Sequence, residues 1–293
     1  MTTAIGTSAA LASFEEIMTA PKPGLVDPLG SGCHDDMEWG VFLRSASALA
    51  PFWAEQAAEG IRHTDDEALM SALRSRGLEM ERAMFDTTGG VNTHKGLIFA
   101  LSLLVGAAGS CLQTGDGSPA SVCRRAGEIA APCCAAEFEA IRSRGAASDA
   151  THGEAIYLRC GVGGIRKEAM NGFPTPLRYG LPALEAALEA GCAPGDAALA
   201  ALLALMAHCE DTNIIHRAGY DFWRVSYKKT ASDASARFNP LKPGRYGALA
   251  ELESLLLAHR ASPGGAADLL TCTLFLYRSK ITDNIFSKEE VLL

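Results

Sequence analysis

The sequence predicts an all-α protein, and three observations carry that class. Alanine and leucine recur at three- and four-residue spacing, strictly alternating runs of valine, isoleucine and threonine are nearly absent, and short glycine-marked polar loops separate the apolar stretches. With 48% hydrophobic residues among 293, the chain can bury a substantial core. No connection is long or disordered enough to mark a boundary, so a single helical domain over residues 1–293 is expected.

The N-terminal MTTAIGTSAALASFEEIM lacks a basic segment and meets Glu15 and Glu16 before any long apolar run, so it does not read as a secretory signal. The first helix is expected within VFLRSASALAPFWAEQAAEG, where Phe42, Ser45, Leu49, Phe52 and Trp53 share a face and Pro51 threatens a break or kink. Helices over 66–84 and 94–109 follow, then a Gly/Pro/Ser loop at 113–121. Further helices are expected at 122–143, 152–160, 181–190, 196–217, 245–260 and 265–280. The polar, Pro/Gly-punctuated 226–247 reads as an exposed connection. The most apolar windows, 97–109 and 197–209, are each shorter than the roughly 20 residues a bilayer demands, and so read as core helices.

Composition narrows the function. A net charge of -8 argues against a nucleic-acid scaffold, whose affinity rests on basic surface, so any phosphate site must be local. Nine cysteines, odd in number and without a C-x-x-C pair, read as buried thiols in a reducing compartment, and the cytoplasm is the expected location.

Residues capable of chemistry gather in five loops. The first, 22–37, carries Lys22, Asp27, His34, Asp35 and Asp36; the second, GGVNTHKG, carries Asn92, His94 and Lys95. The third joins THGE at 151–154 to GVGGIRKEAMNGFP at 161–174, with Arg166, Lys167 and Glu168. EDTNIIHRAG holds Glu210, Asp211, Asn213 and Arg217, and SPGGAADLL, the fifth, reads as a turn with Asp268 near a helix start. His34–Asp35 fits either half of a metal-hydrolase pair or a capping turn, and 166–168 fits a charged helix face equally well.

Two features resist a purely structural explanation. Lys95 stands in the first turn of a helix, where the macrodipole disfavours a cation unless it is solvated or an anion intervenes. The apolar 197–209 helix runs straight into Glu210 and Asp211. If it ends there, two carboxylates meet its negative end and need a cation; if it continues to Gly219, Glu210, Asn213 and Arg217 line one side. The charges are complementary. Lys22, Lys95, Arg166 and Arg217 could hold a polyphosphate while Asp35, Asp36, Glu210 and Asp211 hold a magnesium ion that neutralises it. No G-x-x-x-x-G-K-[ST] loop occurs.

KPGLVD, then H-x-D-M at 34–37, GVNTHKG at 90–96, G-x-R-x-E-A at 164–169 with GFP at 172–174, DTN at 211–213 with Arg217 and Gly219, and SPGG-x-ADLL occur in this order. Together, from about residue 14 to 277, they closely resemble the triphosphoribosyl-dephospho-coenzyme A synthases. The chain departs from the resembled pattern at Lys167, where a glycine is expected, and at Glu210, where many members have Asp.

The resemblance implies an all-helical transferase that takes ATP with Mg²⁺ and 3'-dephospho-CoA, displaces adenine, and joins the ribose anomeric carbon to the 2'-hydroxyl of the acceptor. The product would be a prosthetic-group precursor for the acyl carrier subunit of citrate lyase or malonate decarboxylase, consumed by a downstream carrier-protein transferase. Asp36 or Glu168, with Asp27 as a third candidate, would serve as base. His94 belongs to the catalytic group as an orienting or binding residue; Lys22, His34, Asn92, Lys95, Arg166, Asn213 and Arg217 would bind ATP. The rival readings are a metal-dependent nucleotide hydrolase and a non-catalytic protein that docks an acyl carrier subunit.

Overall fold

The computed structural model describes residues 1–145 and 150–286, and among them lie thirteen α-helices and no strand. The N-terminal half folds into α1 (Thr2–Met18), α2 (Trp39–Arg62), α3 (Asp66–Thr88), α4 (Lys95–Cys111) and α5 (Pro119–Arg144). Shorter helices follow: α6 (His152–Cys160), α7 (Gly164–Met170), α8 (Leu181–Glu189), α9 (Pro194–His208) and α10 (Thr212–Ala218). The chain closes with α11 (Lys228–Arg237), α12 (Ala250–Ala258) and α13 (Gly264–Phe286). One apolar cluster reaches from Ile5 in α1 to Leu276 in α13. α4 and α9 lie deepest in it, because their sequences offer no polar face to solvent.

Glycines set the central crossing. A Cβ on Gly60 of α2 would stand 1.9 Å from the Gly106 carbonyl of α4, and one on Gly109 would stand 2.1 Å from the Ala57 carbonyl. The two backbones therefore touch, a distance that any side chain would forbid. α2 continues through Pro51, which lies on its exposed side, so the expected break does not occur.

Three other expectations change. Residues 2–18 form a helix, although no helix was expected there. Its buried face holds Ile5 and Ile17 at its ends and Glu16, but between them only Gly6, Ser8, Ala9, Ala12 and Ser13, side chains too small to give a strong apolar period. The expected 226–247 connection contains α11, which buries Ala231 and Ala234 and packs on α9. The expected 196–217 helix is two helices meeting at 63°. α9 stops at His208, and Lys228 Nζ donates to the carbonyls of Ala207 (3.0 Å) and Cys209 (2.6 Å). That ammonium is the cation the negative end of α9 requires.

Gly109→Ala should destabilise the fold by about 1–3 kcal/mol through overpacking, although alanine is the better helix former. A thermal melt of the variant checks this, and an unchanged or raised Tm would remove the backbone contact as a determinant of the crossing.

Candidate active site

Elements far apart in sequence enclose a cavity of about 610 Å³. Its wall takes the first-turn residues Lys95 and Gly96 of α4, Gly164 and Ile165 of α7, Thr212 and Asn213 of α10, and Gly264 and Gly265 of α13. Several helix beginnings thus share one space, each with N–H groups that lack an intrahelical acceptor. The end of α1 and the loop behind it add Glu16, Lys22 and His34.

The cations differ in what already neutralises them. Lys22 is buried, with Nζ 2.5 Å from Glu16 Oε1 and 2.9 Å from the Glu16 carbonyl. Lys95 Nζ lies 3.0 Å from Glu81 of α3, so a protein carboxylate compensates the cation in the first turn of α4. Asn92 Oδ1 accepts from the Lys95 N–H (3.1 Å). Arg217 donates to the carbonyls of Cys33 (3.4 Å) and Arg260 (3.2 Å) and reaches His34 Nδ1 at 3.5 Å. It is the cavity-wall cation with no carboxylate partner among the described residues. Burial and then the Arg217 charge lower the pKa of His34. Arg166 does not join this group. It bonds Glu137 at 2.8 Å, beside Arg74, and lines a second cavity of about 400 Å³ that shares Lys95, Gly96 and Ile165 with the first.

The carboxylates named from sequence divide sharply. Asp27 accepts from the N–H groups of Lys22 (2.7 Å), Leu29 (2.7 Å) and Gly30 (3.1 Å); it shapes its own loop and is not among the residues of the main cavity wall. Asp35 pairs with Arg260, and Asp36 stands 3.6 Å from His34 with 67% of its side chain exposed. Neither is among the residues that line the cavity, although their neighbours His34 and Met37 are. Asp211 is fully buried. Its Oδ1 accepts from the Asn213 and Ile214 N–H groups (2.9 and 3.2 Å) and its Oδ2 from Ala266 (3.1 Å), so it ties α10 to α13.

Two named carboxylates remain in the wall. Glu210 accepts from the Gly163 N–H (3.1 Å) and from Lys167 Nζ (2.7 Å). The two departures from the resembled pattern are therefore each other's partners. Glu168 accepts from the Thr175 N–H (2.6 Å) and hydroxyl (2.9 Å), while burial raises its pKa against those bonds. His94 is buried with Nδ1 2.7 Å from Ser45 Oγ, and burial followed by the Lys22 charge drives its pKa down to about 3. Such a ring is too weak a base to take a proton near neutrality, and it serves as a fixed wall.

Four titratable wall residues were not among the candidates drawn from sequence: Glu16, His152, His216 and Asp268. Nothing in the linear pattern signals the Glu16–Lys22 pair. His152 and His216 stack at 3.5 Å from α6 and α10. Asp268 did carry a signal, for it lies in the second turn of α13, where capping no longer explains an acid.

Lys22→Met should cost about 3–5 kcal/mol in urea unfolding, because Glu16 would remain buried and unpaired, and adding Glu16→Leu should recover most of the loss. A wild-type midpoint for the single variant would show the pair to be uncoupled. The His94 shift predicts a pH dependence. Below its ordinary 6.5 the unfolded imidazole binds a proton that the folded ring refuses until about pH 3, so stability falls as pH drops through that interval. The loss is up to about 1.4 kcal/mol per pH unit, and His94→Gln should flatten that part of the profile.

A family model described as ATP:dephospho-CoA triphosphoribosyl transferase matches residues 2–285. The chain is 41% identical over 268 residues to a probable 2-(5''-triphosphoribosyl)-3'-dephosphocoenzyme-A synthase of Pseudomonas paraeruginosa, covering 91% of this chain and 87% of the relative. It is 39% identical over 267 residues to the 2-(5''-triphosphoribosyl)-3'-dephosphocoenzyme-A synthase of Pectobacterium atrosepticum, covering 89% and 84%. No solved structure matches the chain. Joined to the ordered motifs and the all-helical fold, these matches place the chain in the ATP:dephospho-CoA triphosphoribosyl transferase family.

Proposed function

We infer that the chain transfers the triphosphoribosyl group of ATP to the 2'-hydroxyl of 3'-dephospho-CoA in the 610 Å³ cavity, with release of adenine. The observation that carries this reading is the convergence of helix beginnings on a space that also holds Arg217, a cation without a carboxylate partner among the described residues. Both features attract a polyanion, and the starts of the long α4 and α13 bring the strongest local fields. On this reading Arg217, Lys95, Asn92, Asn213 and His34 contact ATP, while Lys22 acts through its ion pair with Glu16.

Magnesium belongs to the proposal as the counterion of ATP. Among the described residues no group of three or more His, Cys, Asp or Glu could hold a metal ion. An ion that arrives with ATP is held chiefly by phosphate oxygens and water. Glu210, about a third exposed at its side chain, would be the protein carboxylate nearest its role. When bound, the ion would neutralise phosphate charge.

Glu168 is the base candidate that lines the cavity, and its raised pKa suits it to accept the proton of the attacking hydroxyl. Thr175 fixes the carboxylate from both oxygens, so its orientation does not depend on substrate. The product then fits the precursor of an acyl-carrier prosthetic group, with a carrier-protein transferase as the next enzyme. We also assign the activity to the cytoplasm. Among the described residues no single helix is long and apolar enough to cross a membrane, and all nine cysteines are free thiols.

Incubation with ATP, Mg²⁺ and 3'-dephospho-CoA should release adenine only when the acceptor is present and should yield an adduct whose mass is that of the two substrates less adenine. Phosphate release without acceptor would favour the hydrolase instead, and no turnover would favour the docking protein.

A further inference from the structure

Cleavage of the bond to adenine needs a proton for the departing base as well as a base for the incoming hydroxyl. Of the carboxylates in the cavity wall, Glu16 is held by Lys22, Glu168 by Thr175, and Glu210 by Gly163 and Lys167. Asp268 has no hydrogen-bond donor among the described residues. It also has no structural task at the start of α13, since Asp211 already accepts from the Ala266 N–H there. Its Oδ2 lies against the first turn of α4, where a Cβ on Gly96 would stand 2.2 Å away. The glycine in THKG thus leaves room for this carboxylate.

We propose that Asp268 is the catalytic acid that protonates the departing adenine, an assignment that rests on the transferase reading above. As the bond from the ribose anomeric carbon to adenine N9 breaks, its electron pair stays with adenine, and the Asp268 carboxyl proton moves to an adenine nitrogen. The acceptor oxygen bonds to the anomeric carbon, and its proton goes to Glu168. Proton exchange with water then resets both groups, so no further reactant is required.

The surroundings keep Asp268 in the form this role needs. Burial first, then the charges of Glu16 and Asp211, push its pKa well above the ordinary carboxylate range. Facing groups are Glu16 of α1, Lys22 behind it, Lys95 and the neutral His94 at α4, Asp211 at the head of α10, and Cys272 on its own helix. Asp268 and Glu168 are both cavity carboxyls whose environments favour the protonated form, but Glu168 alone receives hydrogen bonds that favour its carboxylate.

Asp268→Asn in the full chain should lower kcat for adenine release by about 100-fold or more. Calorimetric Kd values for ATP and dephospho-CoA should stay within about threefold, and Tm should equal or exceed that of wild type, because no native hydrogen bond is lost. N7-methyl-ATP carries a leaving base that is already cationic, so the variant should process it within about tenfold of wild type. Gly96→Ala, which displaces the carboxylate without removing it, should also reduce kcat with little change in Kd. Retention of kcat within about fivefold in Asp268→Asn, or an equal loss with both donors, would overturn the acid role while leaving the transferase intact. Absence of acceptor-dependent adenine release by wild type would overturn both.

Discussion

Asp211 has no access to solvent, and its two oxygens are divided between the first turns of two helices. This shared carboxylate is the constraint on which the cavity depends. It stops α9 from running on as one rod, starts α10 at 63° to it, and fixes the beginning of α13 alongside. Gly265 permits the close approach, since a Cβ there would stand 3.1 Å from Asp211 Oδ2. On the far side Lys228 takes the carbonyls that α9 leaves open. A single break is thus satisfied from both directions, by an acid for the helix that begins and a base for the helix that ends.

The all-α class and most long helices were legible because α2, α3, α4 and α5 carry apolar side chains at helical spacing. α1 was not, since Ala9, Ala12 and Gly6 bury well without standing out in a hydrophobic period. At the site, the loop motifs identified which segments converge, and Lys22, His34, Asn92, His94, Lys95, Glu168, Glu210, Asn213 and Arg217 all line the cavity. What could not be read was the division of labour among acids. Asp27 and Asp211 resemble catalytic residues in composition alone; only three-dimensional proximity shows that backbone N–H groups occupy them. Asp268 was passed over for the converse reason, since a plausible capping role concealed the absence of anything for it to cap.

Lys167 and Glu210 give a second lesson in reading pairs. Each looked like an isolated departure from a motif, 43 positions apart, yet they form one contact at 2.7 Å. The longer glutamate reaches the N–H of Gly163 as well, so the exchange preserves an acid at the start of α7 and adds a partner for it.

The α2–α4 crossing has a consequence for how the family member can respond to its ligands. Glycine contacts lock one end of the pair, and at the other end Ser45 Oγ stands 2.7 Å from the ring of His94, just before α4 begins. Held at both ends, these two helices behave as a stiff chassis, and sliding one along the other would break contact at each. Whatever adjustment a ligand demands then falls outside this pair, leaving the central frame indifferent to what is bound.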